Sequence, residues 1–390
     1  MRRKDSLDLL SRGRYSKWRI SASNSPSSEI FALLMDSYII GTAVSLENSN
    51  MIKCPYCLDN INPKLEQKKN AAPYICPECG VEIPRDYVEK RNISRTTVGL
   101  VGFPGHGKTV YITSLFYLLK YLRSQWKDYF LLSLDDNTHQ VVHHHVPLFE
   151  NSRLPEATPS NFPTPSLIYF RNIPLFGDRF LCLYDTSGEI FEDTRRIPEQ
   201  GRFVAHSDCV LFNISINDCG REWSDRMIEL LDIYIRAVHG RMHADIKNYQ
   251  HLIVVLTKAD SLITENSAKV LPGNLLGDMI HSGSYKNYIN HYEDMDIIGR
   301  LKRRSEILRS WLFREGDQGF INMARDYFKS VEYTLVSSTG AAPVGRRLAT
   351  RLTPHDPKMV LDPFLWVLEK NRPRSIWERF SERWNVMRDA

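Results

Sequence analysis

Gly102-Phe103-Pro104-Gly105-His106-Gly107-Lys108-Thr109 follows the apolar run Val98-Gly99-Leu100-Val101 and precedes Val110-Tyr111-Ile112-Thr113-Ser114-Leu115-Phe116. The octapeptide fits GxxxxGK[ST] at every fixed position, in the context that gives the motif meaning: a short buried strand feeds a glycine-rich loop, and the loop opens a helix. The first N–H groups of that helix have no partner within it, and they point where the Lys108 ammonium points. Such a geometry binds phosphate. Glycines let the backbone turn and approach the anion. Lys108 is expected at the β and γ phosphates and the Thr109 hydroxyl on Mg²⁺. Gly102, Pro104, Gly105, His106, Gly107, Lys108, Thr109 and Val110 are therefore the expected phosphate-binding residues. A plain glycine-rich turn would need Lys and Thr at these positions by accident.

Downstream of this loop, apolar runs end in polar residues at the places where a nucleotide site needs them. Two short strands, Ser166 to Arg171 and Arg179 to Tyr184, lead into Asp185-Thr186-Ser187-Gly188-Glu189. An aspartate at the carboxyl end of a buried strand can hold Mg²⁺ through water, and the Gly188 N–H can meet the γ-phosphate. A strand from Cys209 to Ser215 and a helix from about Glu222 to Val238 follow. The near-continuous apolar run His251 to Leu256 reads as a buried parallel strand and ends in Thr257-Lys258-Ala259-Asp260. The Asp260 carboxylate can accept from both N1–H and the exocyclic amine of guanine, a donor pair adenine lacks, and the Lys258 stem can lie over the base. Tyr333 to Val336 then ends in Ser337-Ser338-Thr339-Gly340, where backbone N–H groups are placed to meet the guanine O6.

A second signal precedes the loop. Cys54-Pro55-Tyr56-Cys57 and Cys76-Pro77-Glu78-Cys79 form two CxxC pairs separated by eighteen residues, the spacing of a tetrahedral four-thiolate zinc site. With all four positions filled by Cys54, Cys57, Cys76 and Cys79, no site is left for water, so the zinc is expected to hold structure and not to catalyse. A ribbon of about 40 residues buries little apolar surface and should depend on its metal to fold. Cys182 and Cys209 fall in expected buried strands, Cys219 stands apart, and none is given a chemical role.

Composition sets the outer limits. Hydrophobic residues at 42%, charged residues at 25% and a net charge of +5 suit a soluble globular protein and are too mild to argue for nucleic acid. Residues 1 to 20 carry seven Lys or Arg against two Asp, and residues 370 to 390 carry six against three, so both ends are mildly basic. No run reaches the ~18 apolar residues of a membrane span, and the basic start runs into polar residues without a signal-peptide core. A cytoplasmic protein is expected. The domains read as a basic, Ser-rich segment over 1–50, a four-Cys zinc ribbon over 51–92, a nucleotide domain over 95–370 with an insert at about 261–330, and a basic tail over 371–390. The polar, proline-containing stretch Asp135 to Pro165 reads as a long loop, its His143-His144-His145 as a surface run. The helical portion Ile297 to Phe313 reads as packed, with Arg300, Lys302, Arg303 and Arg304 on a solvated face.

The four motifs, each after an expected strand and spanning residues 97 to 340, resemble the translation-factor-related class of phosphate-loop GTPases that includes the Ras and Rho families. Thr257 replaces the usual Asn, as in Rho-type members. The zinc ribbon, the sequence Asp185-Thr186-Ser187-Gly188-Glu189, the long insert and Asp362-Pro363-Phe364-Leu365-Trp366 resemble, more narrowly, bacterial double-GTPase families of conflict and defence systems. The resemblance implies an α/β fold, a mostly parallel sheet flanked by helices with a small zinc ribbon, using GTP/GDP, Mg²⁺ and Zn²⁺. It also implies a regulatory GTPase that works with separately encoded protein partners. Glu189 stands where Ras-like proteins carry a water-orienting Gln, and with Pro104 it predicts slow or partner-stimulated hydrolysis. The switch threonine is expected at Thr164, with Thr158 as the alternative. An ATP-specific enzyme, and a scaffold or nucleic-acid-binding module working through the ribbon, are the competing readings.

Overall fold

The structure is a computed structural model and describes residues 51–62, 73–156, 164–220, 224–262, 275 and 297–372. The expectations for residues 1–50, Thr158, most of the insert and the tail beyond residue 372 lie outside the described residues. From Lys53 onward the described residues form one compact unit.

Seven strands make one sheet: β1 (Ser94–Val101), β2 (Phe130–Ser133), β3 (Ser166–Ile173), β4 (Gly177–Tyr184), β5 (Cys209–Ser215), β6 (His251–Thr257) and β7 (Ser330–Leu335). Their spatial order is β7-β6-β5-β1-β4-β3-β2. The four pairings from β7 to β4 are parallel, while β3 joins β4 and β2 joins β3 antiparallel. Every residue of β5 and β6 is buried, as strands covered on both faces require. Because β1, β4, β5, β6 and β7 run the same way, the loops that follow them open on one edge of the sheet.

Alternation sends the two halves of each strand to opposite layers. On one face Val98, Leu100, Leu181, Leu183, Leu211 and Val255 join a core with helix α1 (Lys108–Leu122) and with a helix near the end of the described chain, Leu361–Lys370. There Phe170 lies 5.4 Å from Phe364 between ring centroids. The opposite face is covered in two parts. Over β5, Phe212 meets Tyr234 edge-on at 5.1 Å, from helix α2 (Ser224–Ile235), and Phe328 at 6.3 Å. Over β4, Tyr184 stacks on Phe203 with centroids 5.1 Å apart, and Cys182 Sγ meets the Tyr87 hydroxyl.

Two sequence expectations are corrected. The first half of the supposed loop Asp135 to Pro165 is helical. Asp135 caps the helix Asp136–Gln140, accepting from Thr138 N at 2.9 Å, and the chain continues through a π turn, Val141–His145, into Val146–Glu150. Buried Val141 and Val146 are five residues apart, the spacing of that wide turn, so a search at 3.6 residues misses them. Pro147, which has no N–H to donate, lies just after the π turn. The second correction concerns α3 (Ile297–Glu315): Arg304 is not on a solvated face but buried, its guanidinium 3.2 Å from buried Asp362.

Candidate nucleotide and metal sites

Gly107 caps α1 from the left-handed region (φ 80°), and Gly105 before it has φ 78°, so the loop carries its N–H groups round to the helix start. Lys108 is buried and its ammonium donates to Gly102 O at 2.8 Å and Phe103 O at 3.3 Å. Burial pulls its pKa down to about 8, with Asp185 opposing the shift. Thr109 Oγ1 donates to Asp185 Oδ2 at 2.9 Å. Two hard oxygen donors thus meet beside the ammonium and the free end of α1, the donor set that suits Mg²⁺.

Gly188 is where a glycine is sterically required: a Cβ there would lie 2.2 Å from Pro104 N and 2.4 Å from Phe103 C. The turn after β4 therefore touches the phosphate loop directly. Glu189 is exposed, its N–H bonded to Ser187 Oγ at 3.3 Å. Thr164 is exposed as well, and its carbonyl accepts from Asn137 Nδ2 at 2.9 Å.

The other end of the site lies after β6 and β7. Thr257 Oγ1 donates to His106 O at 2.9 Å and to Ile214 O at 3.3 Å, fastening this loop to the phosphate loop. Lys258 has φ 59°, which turns the chain so that Asp260 follows at the rim. Ser337 Oγ donates to Asp260 Oδ1 at 2.8 Å, accepts from Gly340 N at 3.0 Å, and so sets the carboxylate in place. The Ser337 N–H itself donates to Lys358 O at 3.1 Å. Ser338 O accepts from Ser114 Oγ of α1 at 2.8 Å.

The four cysteines lie together, their sulfurs all within 4.8 Å of one another. Cys54 and Cys79 sulfurs are 3.9 Å apart and Cys57 and Cys76 sulfurs 3.7 Å. A tetrahedron of thiolates at about 2.3 Å from zinc has edges of about 3.8 Å, so the set fits that ion. The two knuckles repeat each other: Leu58 N bonds Cys54 O at 3.0 Å, and Gly80 N bonds Cys76 O at 2.9 Å. Leu58 and Gly80 share φ values of 72° and 70°. The ribbon is joined to the sheet by polar bonds that nothing in the sequence marks. Tyr184 OH of β4 donates to Pro55 O and Lys53 Nζ donates to His206 O at 2.8 Å, while Tyr87 OH, on the helix after the knuckles, donates to Lys53 O at 3.0 Å. Burial pushes the thiols of Cys182 and Cys209 up to about 12, which leaves them inert.

Two residues missed by sequence reasoning belong to the site. Asp218, in the turn after β5, holds the ring of His106 at 2.9 Å, and Asn213 O meets the other side of that ring at 2.9 Å. Neither residue lies in a recognisable motif.

No curated protein matches this chain. Among solved structures, a GTP-binding protein from the archaeon Sulfolobus solfataricus in complex with GDP is 12% identical, with 62% of this chain and 47% of that one covered and a TM-score of 0.27. Translation elongation factor SelB from Methanococcus maripaludis, in complex with the GTP analogue GppNHp, is 11% identical, with coverage of 73% and 35% and a TM-score of 0.29. The chain spans less than half the length of either. The family model of Double-GTPase 2 matches residues 96–312, more than half of the chain, from β1 through both nucleotide-site loops after β4 and β6 into α3. This chain belongs to the Double-GTPase 2 family.

Proposed function

We propose that the protein is a regulatory switch that binds GTP with Mg²⁺ and hydrolyses it to GDP, slowly or under stimulation by a separately encoded protein partner in the bacterial cytoplasm. The observation that carries this reading is the pairing of two opposed fixtures on one sheet edge. Thr109 and Asp185 meet at 2.9 Å beside the Lys108 ammonium, and Ser337 holds Asp260 at 2.8 Å at the base end.

In the reaction, water attacks the γ-phosphate in line with the departing GDP. Lys108 and the N–H groups opening α1 stabilise charge on the phosphate oxygens, and Gly188 adds its own N–H. Bound Mg²⁺, held by Thr109 and through water by Asp185, would neutralise charge on the β and γ oxygens. Glu189 supplies an acceptor for the water but brings a negative charge toward the phosphate, which supports low intrinsic turnover. Thr164 would sense the γ-phosphate from the stretch just before β3. Loss of that phosphate would release the segments around residues 155–200. Involvement in a conflict or defence system rests on the likeness of the ribbon and insert to such families, and the effector proposed with it is a separately encoded protein.

Affinities for GTP and ATP decide the base, and phosphate release compared with Lys108→Ala decides the reaction. Tighter binding of ATP sinks the guanine reading. Turnover equal to that of Lys108→Ala sinks hydrolysis and leaves a nucleotide-held scaffold.

A further inference from the structure

The connection between β4 and β5 starts with Asp185 and Gly188 against the phosphate loop, and the cysteine ribbon holds it at both ends. At its start, the hydroxyl of Tyr184, the residue before Asp185, donates to Pro55 O inside the first CxxC knuckle. At its far end, His206 closes the turn Arg202–His206, and its carbonyl accepts from Lys53 Nζ at 2.8 Å. Lys53 directly precedes Cys54, so both ties run to the same knuckle. The two ends lie side by side, the rings of Tyr184 and Phe203 stacking with centroids 5.1 Å apart. Phe203 also fills the space over Gly99 of β1, where a Cβ would lie 2.9 Å from its ring.

We infer that the ribbon and the nucleotide site are thermodynamically linked, with Tyr184 and Lys53 as positioning residues that keep Asp185 and Gly188 where a bound nucleotide and its Mg²⁺ need them. The inference rests on the reading of the phosphate loop as the site of a guanine nucleotide.

Covering the sheet needs only apolar contact, whereas each of these ties is a directed hydrogen bond onto a backbone carbonyl. On the opposite side the same connection is fixed by Thr109 Oγ1 on Asp185 Oδ2 at 2.9 Å and by the close approach of Gly188 to Phe103 and Pro104. The ties are made before any nucleotide arrives, so the ribbon preorganises the connection. A knuckle without its metal loses its fixed shape, the ties go with it, and binding must then order the connection at a cost in affinity. Linkage makes the converse effect equal: the factor by which zinc strengthens nucleotide binding is the factor by which nucleotide strengthens zinc retention. The two knuckles differ in access, since Cys54, Cys57 and Leu58 are buried and Cys79 is exposed. A competing chelator therefore reaches the metal at Cys79 and must then open the knuckle that carries the ties.

The test is transfer of zinc from the zinc-loaded full chain to the colorimetric chelator pyridylazoresorcinol, followed with and without saturating Mg–GDP, for wild type and the double variant Lys53→Met, Tyr184→Phe. Both replacements keep the bulk of the side chain and remove the donor. Mg–GDP is expected to slow transfer by about fivefold in wild type and by less than about twofold in the double variant, whose affinity for Mg–GDP falls by a similar factor. A general stabilisation of the fold by nucleotide slows transfer equally in both proteins, so equal slowing overturns the inference. Transfer from the wild type that bound Mg–GDP leaves unchanged overturns it as well. Should the double variant fail to fold by circular dichroism, the two single variants take its place, and slowing equal to wild type in both again overturns it. Failure of the wild type to bind any guanine nucleotide is a separate result: it removes the proposed function, and the inference with it.

Discussion

Replacing Gly188 by alanine tests whether the turn after β4 and the phosphate loop form one rigid site. The added Cβ would sit 2.2 Å from Pro104 N, 2.4 Å from Phe103 C and 2.7 Å from Phe103 O, where ordinary contact begins at 3.4 Å. One backbone segment must yield by about 1.2 Å, and neither is free to do so. The loop is pinned by the ring of His106 and by the Lys108 ammonium on its own carbonyls, and the turn is pinned through Asp185 to Thr109. Forced overpacking of this kind costs about 1–3 kcal/mol, which lowers the melting temperature by about 2–4 °C for each kcal/mol. Displacing phosphate-binding groups by about 1 Å lowers turnover about 10²-fold. Differential scanning fluorimetry and single-turnover phosphate release measure the two effects. Gly240→Ala, whose Cβ meets nothing within 4 Å, is the control and leaves both unchanged. A Gly188→Ala protein with wild-type melting, GTP affinity and turnover would falsify the close approach.

Titration of Lys108 sets a pH limit on binding. Phosphate favours the ammonium, so its pKa rises in the complex, and GTP affinity falls as pH climbs above about 8, by up to about tenfold per unit. For folding the sign reverses: the charged form is disfavoured by burial, so stability rises between pH about 8 and the pKa of an ordinary lysine, about 10.4. Equal affinity at pH 7.5 and 9.5 would contradict this. On the proposed reading Asp260→Ala removes two charge-assisted bonds to guanine, each about 1.5–3 kcal/mol, and should weaken GTP about 10²–10⁴-fold while leaving ATP unchanged. Retained preference for GTP, read by competition against a fluorescent nucleotide, would place base recognition elsewhere. Cys76→Ser should reduce bound zinc from one per chain to less than about a tenth of that and lower the melting temperature. A full zinc load by mass spectrometry would refute the four-thiolate site.

What the sequence made legible follows from which constraints are local. The placement of the glycine-rich loop, Asp185 and Asp260 after parallel strands on one sheet edge was readable because each ends an apolar run, and β5 and β6 were readable because burial on both faces leaves no polar alternation. The segment Asp135 to Glu150 was not, since its π turn shifts buried Val141 and Val146 off the helical period and its histidines mask the apolar stripe. Arg304 looked solvated because its partner Asp362 lies 58 residues away. Asp218 and the holding role of Ser337 escaped for the same reason: each is defined by a contact across the sheet edge and by no pattern of neighbours.

The docking of the zinc ribbon has its own physical logic. In a parallel sheet, each crossover between strands lays a helix on one face. Here β3 and β4 are joined by a tight antiparallel hairpin, so that connection contributes no covering helix. After β4 the chain makes only short turns, Gly188–Glu192, Ile197–Gln200 and Arg202–His206, before entering β5. Phe203 from the last of these covers part of Tyr184, and α2 stands over β5. Phe180, Cys182 and the hydroxyl of Tyr184 would face water without further cover. Tyr87 meets Phe180 edge-on at 5.3 Å, and the knuckle carbonyl of Pro55 takes the Tyr184 hydroxyl. The ribbon and its following helix Arg85–Glu89 thus do for β4 what a crossover helix does elsewhere. A segment this small holds that position only if its own shape is fixed, which the four clustered cysteines would do on one metal ion. Tyr184 is bonded to the knuckle and is followed directly by Asp185, so metal site and nucleotide site meet at consecutive residues of one strand end.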